Sequence, residues 1–261
     1  MKVKQLFVHK DQGRVNPAAA ALNILLVCTA IVTIFWFSLN AIDATFDFSF
    51  LKDFGIRIRA GFLTTVFLSL FSLLLSLLLG VLSAVGQGSG ILFLRYLSNI
   101  YVRFIRGTPL IMQIYLFFYI VGTAWGVNNR FIAGVIILSV FEGAYIAEII
   151  RGSLLSIDAS QLEASKAVGF TRGQTLKYVV LPQMIARTLP ALTGQFASII
   201  KDSSLLSMIA VIELTQTMRE ISASNFKLFE CYLFLGALYL CLTLPISLVS
   251  KSLERRFNYE N

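Results

Sequence analysis

A chain of 261 residues with 57% apolar and only 14% charged side chains is too greasy for an ordinary water-soluble domain, where about a quarter of residues carry charge. Its length allows roughly five or six bilayer-spanning helices of about 20 residues each. The formal net charge of +8 is the excess of Lys and Arg that cytoplasmic loops of a membrane chain require, and nucleic acid is set aside as a partner.

In chain order, residues 1–16 carry Lys2, Lys4, Lys10 and Arg14 against Asp11 alone, and an apolar run follows from about Pro17 to Leu39. That run is too long for the apolar region of a signal peptide, and no A-x-A cleavage site follows it. It reads as a first span with a cytoplasmic N-terminal tail. Residues 40–61 are mixed and suit an amphipathic outer-face segment. Gly61 to Val85 is a second span, in which Ser69, Ser72, Ser76 and Gly80 recur at helical spacing, the pattern that lets membrane helices approach closely. Gly86-Gln87-Gly88-Ser89-Gly90 lacks the last glycine of a dinucleotide fingerprint and reads as a turn. It leads to Arg95, Arg103 and Arg106, a basic cluster at the cytoplasmic end of a third span, where Pro109 predicts a kink or a helix start.

The fourth span covers about Phe131 to Ile150 and holds Glu142 and Glu148, with Arg151 at its end. A fifth apolar run begins near Pro190 and is interrupted by Lys201-Asp202-Ser203-Ser204. Residues 213–227 are polar, and 231–250 form the last span, anchored by Lys251, Arg255 and Arg256. With the N-terminus inside, intervals 1–16, 86–106, 151–189 and 251–261 fall on one side and hold most of the Lys and Arg, as the positive-inside rule asks. Both termini are then cytoplasmic.

Catalytic and metal chemistry find little support. His9 is the only histidine, which rules out a histidine-based triad in a span and a His-rich metal site. Cys28, Cys231 and Cys241 sit in apolar runs without metal-ligand spacing and read as packing residues. No Gly-Lys dipeptide occurs, so no Gly-rich phosphate loop is present. No catalytic residue, metal ligand or bound cofactor is expected.

The most informative stretch is 158–190, placed in the cytoplasm by charge. Ser160 with Glu163 and Thr171 with Gln174 fit the capping-box pattern, Gly169 lies between them where a helix end tolerates positive φ, and Pro182 closes the second helix or opens the next. Leu162, Val168, Leu176, Val179 and Val180 give this helix-turn-helix an apolar surface. It either packs on the protein's own helix ends or docks a soluble partner. A DNA-reading role lacks the side chains that contact bases.

Glu163-Ala164-Ser165, Gly169 and Leu181-Pro182 resemble the EAA loop of permease subunits of bacterial ATP-binding-cassette importers. Arg106-Gly107-Thr108-Pro109-Leu110, the run Ala144–Gly152, Lys201-Asp202-Ser203-Ser204-Leu205 and Glu213-Leu214-Thr215 are similar to the polar amino acid permease branch, over roughly Gly55 to Phe257. The resemblance implies an all-α membrane protein of about six transmembrane helices: a five-helix permease core (55–257, coupling loop 158–190), an extra N-terminal span within 1–54, and a tail at 258–261. Glu163, Ala164, Ser165, Gly169, Leu181 and Pro182 become ATPase-coupling residues, Ser165 replacing the second alanine of the family's triplet. The implied partners are a cytoplasmic ATPase dimer carrying ATP and Mg, an external or periplasmic amino acid-binding protein, and a second permease copy, identical or a paralogue, in the inner membrane.

Ionisable groups at membrane depth are costly and point to function. Glu142, Tyr145, Lys201, Asp202, Ser203 and Ser204 are candidates for a substrate path, where Glu142 would favour a cationic amino acid such as arginine or lysine. Glu142–Lys201 or Lys201–Asp202 as an internal structural pair is the competing reading. Arg106, Gly107, Thr108, Pro109, Glu148 and Arg151 are expected to be structural or gating, with a Glu148–Arg151 salt bridge. The alternative function is a stand-alone secondary transporter or channel, which would have no use for a partner-docking loop and would be expected to show inverted repeats with broken helices.

Overall fold

The computed structural model describes residues 16–41 and 46–258. The N-terminal tail before Asn16, with His9, and the last three residues of the chain lie outside the described residues. The chain divides into two units between Asp47 and Phe48. All regular structure among the described residues is helical.

The first unit contains α1, Pro17–Ala41. Asn16 starts it by accepting the Ala18 amide at 3.0 Å, and Pro17 sits in the first turn, where a missing N–H costs nothing. Only Ala19 is buried along its length. A helix apolar all round and left uncovered is one for lipid or for another membrane helix, and its 25 residues reach about 37 Å, enough for a roughly 30 Å hydrocarbon core.

The second unit runs through α2 (Phe50–Gln87), α3 (Leu92–Arg106), α4 (Leu110–Tyr115) continuing as a π-helical stretch Leu116–Gly122, and α5 (Arg130–Leu155). Then come α6 (Ala159–Ala167), α7 (Arg172–Thr175), a second π-helical stretch Leu176–Val180, α8 (Leu181–Asp202), a 3-10 turn Ser203–Ile209, α9 (Leu214–Asn225) and α10 (Leu228–Asn258). By length and apolarity α1, α2, α5 and α10 can each cross a bilayer, and α3 with α4 and its π stretch passes the same test only as a pair, bent by 113°. The segment α8 falls short because Gln183, Arg187, Thr188, Thr193 and Gln195 dilute it. It is screened by α10, α5 and α2, which pack against it, and so does not need to be greasy on every side.

The closest packing joins α2 to α5. Gly61, Thr65, Ser69, Ser72, Ser76 and Gly80 form one stripe of α2 and are all buried. The small side chains bring the backbones together, and Ser139 of α5 donates to the Ser72 carbonyl at 3.2 Å. A Cβ added at Gly80 would stand 2.5 Å from Ile146 Cγ2 and 3.2 Å from the Ala147 amide nitrogen. Gly80→Val is therefore expected to lower stability by about 1–3 kcal/mol, the usual cost of overpacking. A thermal transition in detergent equal to that of the parent protein would contradict this packing.

Two apolar clusters hold the unit. One gathers Leu68, Ile105, Leu110, Ile114, Phe141, Ala144, Ile199 and Leu206 from α2, α3, α4, α5, α8 and the 3-10 turn. The other joins Phe50 and Ile58 of α2 to Leu214, Met218 and Ile221 of α9 and Cys231 and Leu235 of α10. Cys231 packs as expected, but Cys28 and Cys241 are exposed.

The stretch around Arg95 and Arg103, expected from the sequence as a basic cluster at the cytoplasmic end of the third span, is the separate helix α3. Pro109 then opens α4 in extended backbone, at φ −64° and ψ 139°. The bend is clamped by Gln113, whose buried amide nitrogen donates to the Ile105 carbonyl at 2.8 Å and to Thr108 Oγ1 at 2.7 Å.

Candidate functional site

Two regions of the second unit collect the side chains singled out above. The first is the hairpin after α5. Its opening cap is Asp158, which accepts the Ser160 amide at 3.3 Å. The box expected from Ser160 and Glu163 is not formed: the helix begins at Ala159, which leaves Ser160 inside the first turn and Glu163 free on the surface. The second box is present, with Gln174 Oε1 accepting the Thr171 amide at 2.8 Å and Thr171 Oγ1 accepting the Gln174 amide at 3.3 Å. Gly169 turns the chain between the arms at φ +84°, a region that side chains with a Cβ rarely adopt.

Ser165 is buried between the arms, donating to the Leu162 carbonyl at 2.8 Å and lying 3.2 Å from Thr175 Oγ1. A hydroxyl in this place ties the hairpin together, which an alanine could not do. Glu163, Ala164 and Gly169 are exposed, Leu181 is half-buried, and Pro182 sits at the start of α8. Among the apolar residues named from the sequence, Val180 turns inward while Val168 and Leu176 face out. Phe170 and Tyr178, whose rings lie 6.3 Å apart, are also exposed, so the hairpin presents apolar side chains outward, with Val168 75% and Tyr178 60% exposed. The hairpin does not swing free. Gln183 of α8 donates to Gln161, and Arg187 donates to the Ser156 carbonyl.

The second region lies midway along α5. Glu142 is fully buried, accepts from the Gln195 amide through Oε2, and keeps Oε1 without a hydrogen-bond partner among the described residues. Asp202, seven residues beyond Gln195 on the same face of α8, interacts with the Glu142 carboxyl group. Lys201 is exposed and makes no close ion pair with either carboxyl group among the described residues, although its charge acts on the neighbouring Asp202. Ser203 is buried and donates to the Ile200 carbonyl at 2.7 Å, while Ser204 is half-buried beside it. Tyr145 faces away from this group: the Arg106 guanidinium sits 5.4 Å over its ring, and the Phe141 ring lies tilted at 45° with its centroid 5.1 Å away.

Arg106, Glu148 and Arg151 form one group, with Glu148 held by Arg151 and by Arg106 at 3.4 Å. Gly107 and Thr108 belong to the bend: a Cβ at Gly107 would meet the Arg103 carbonyl at 2.8 Å, and Thr108 donates to the Phe104 carbonyl at 2.9 Å. Farther along, Glu213 caps α9 by accepting the Thr215 and Gln216 amides, both at 2.7 Å, with Tyr239 donating at 3.0 Å. Gln195 and Gln113 were not recognised from the sequence. The i, i+7 spacing of Gln195 and Asp202 was the available signal for the first, and it is lost among the other polar residues of α8.

A family model described as "binding-protein-dependent transport system inner membrane component" matches residues 76–259. The glutamine transport system permease protein GlnP of Escherichia coli (strain K12) is 36% identical over 194 residues, which cover 74% of this chain and 89% of that protein. The L-cystine transport system permease protein TcyB of Bacillus subtilis (strain 168) is 35% identical over 208 residues, covering 79% and 89%. Among solved structures, that of an amino acid ABC transporter with histidines superposes with a TM-score of 0.76 at 32% identity, covering 82% of this chain and all of that one.

Proposed function

The chain belongs to the binding-protein-dependent transport system inner membrane component family, and on that premise we propose how its two regions share the work of an amino acid ABC importer. It is the membrane-spanning permease subunit of such an importer, a transport subunit of the inner membrane and not itself an enzyme. The hairpin of α6 and α7 docks a cytoplasmic ATPase dimer, in which ATP and Mg reside. Glu163, Ala164 and Gly169 present the contact, Ser165 keeps the arms together, and Leu181 and Pro182 hand the motion to α8. An external or periplasmic binding protein delivers the amino acid, and a second permease copy, identical or paralogous, completes the pore. Both termini lie in the cytoplasm.

One observation carries this reading. The hairpin leaves an apolar tip in water while being stitched to α8 through Gln183 and Arg187. An exposed apolar patch on a rigid mount is a protein contact in waiting, and a push on the mount moves the helix that carries Gln195 and Asp202.

In the substrate path, Glu142 and Asp202 stand together at membrane depth, and the charge that the pair can carry suits an ammonium group. The cargo is a polar amino acid, with a cationic side chain favoured by the two carboxyl groups. Lys201, Ser203 and Ser204 stand beside that pair, while Tyr145 joins Arg106, which with Gly107, Thr108, Pro109, Glu148 and Arg151 shapes the inner mouth. GlnP and TcyB match at nearly the same identity while their names give different cargoes, so overall similarity does not select the amino acid.

The alternative, a secondary transporter or channel, leaves the exposed tip without a purpose. Purification of the tagged chain from native membranes tests the reading directly. An ATP-binding-cassette ATPase is expected to come with it, and mass spectrometry of the released small molecules should find an amino acid. A chain that purifies alone and moves solute down an ion gradient without ATP would overturn the proposal.

A further inference from the structure

The inner end of the second unit holds a polar cavity that neither the hairpin nor the Glu142 group uses. It measures about 460 Å³ and is lined by Gln87, Asn99, Arg103, Arg106, Glu148 and Arg151, among others. Three guanidinium groups meet one carboxylate. Glu148 is engaged by Arg151 and by Arg106, and Arg103 has no ion-pair partner among the described residues, so positive charge is left in excess. Gln87 contributes a buried carbonyl oxygen without a hydrogen-bond partner among the described residues, its amide nitrogen turning to Asn99 at 3.4 Å. Forked donors for an anion therefore stand beside an unused acceptor.

The wall of this cavity formed by α3 has three sides. Val102 and Ile105 pack into the core. Phe93, Leu97, Ile100 and Phe104 follow helical spacing on an exposed face, and Arg95, Asn99, Arg103 and Arg106 run along the flank between the two. A helix with bulky apolar residues on one side and arginines beside them lies at the membrane interface, its charges at headgroup level. The 113° bend from α4 turns α3 out of the spanning direction, as such a placement needs. Basic pockets between helices on the cytoplasmic side are suited to phospholipid headgroups.

We propose that this cavity binds the headgroup of an anionic membrane phospholipid. The phosphate takes the guanidinium groups of Arg103, Arg106 and Arg151, a headgroup hydroxyl fills the Gln87 acceptor, and the acyl chains lie along the Phe93–Phe104 face of α3. Guanidinium forks bind phosphate oxygens in pairs. Free inorganic phosphate shares that chemistry but has neither the apolar chains nor the headgroup hydroxyl.

Native mass spectrometry of the full chain, released from membranes with its bound subunits and titrated with phosphatidylglycerol, tests the site. The parent protein should retain the lipid against an excess of inorganic phosphate. Arg103→Gln should bind it about fivefold more weakly, the effect of one basic residue facing an anionic surface. Arg103→Lys should recover most of that loss, which excludes misfolding as the cause. Phosphatidylglycerol binding unchanged in Arg103→Gln, or displacement of the lipid by inorganic phosphate alone, would overturn the proposal.

Discussion

Glu163→Arg is expected to leave the protein inserted and folded but to cut substrate-stimulated ATP turnover of the assembled importer roughly tenfold or more, equivalent to about 1.4 kcal/mol of coupling. Glu163 is exposed on α6 and makes no hydrogen bond that holds the hairpin, so the change alters only the face offered to a partner. A companion change, Gly169→Val, works from inside. Nothing lies within 4 Å of a Cβ built there, so the side chain has room. The backbone does not tolerate it, because φ is +84° and a β-branched residue in that region costs on the order of 1–3 kcal/mol. The strain would open the turn that brings Ser165 to Thr175. Turnover measured in reconstituted vesicles separates the outcomes: normal substrate-stimulated ATPase activity in both variants would refute the docking role.

Glu142→Gln is the second large effect. Glutamine matches the carboxyl group in shape and keeps an oxygen for Gln195, but it cannot ionise to meet a cationic substrate. Uptake of arginine or lysine into vesicles should fall about tenfold or more, since a hydrogen bond to a charged group is worth about 1.5–3 kcal/mol, while uptake of neutral amino acids should change less. Arginine and lysine uptake equal to that of the parent protein would sink the cationic-cargo reading.

What could be read from the residues alone followed from how local its cause was. The turn at Gly169 and the Thr171–Gln174 box depend on neighbours within four positions, and both are present as expected. The small stripe of α2 was visible because lipid-embedded packing needs small side chains at helical spacing. At the first arm of the hairpin two capping candidates stood two residues apart, and only the path of the chain out of α5 decides for Asp158. The helix α3 was hidden because bulky apolar residues facing lipid and arginines at its edge look alike whether the segment lies across the membrane or enters it. Pairings between distant elements were the least legible. Glu142 could be flagged by its cost at membrane depth, yet its partner proved to be Gln195, an uncharged residue 53 positions away, and not Lys201.

The π-helical stretch Leu176–Val180 carries a consequence for angular phase. From Arg172 to Asp202 the chain winds on as helix through that one wide stretch. A wide turn holds an extra residue, and each residue of an α-helix advances the winding by about 100°. The hairpin tip and the face bearing Gln195 and Asp202 therefore share one shaft whose angular setting is fixed by a single residue. Tightening or releasing that turn would rotate one end against the other without breaking the helix between them, turning an axial push below into a twist at the carboxylates above.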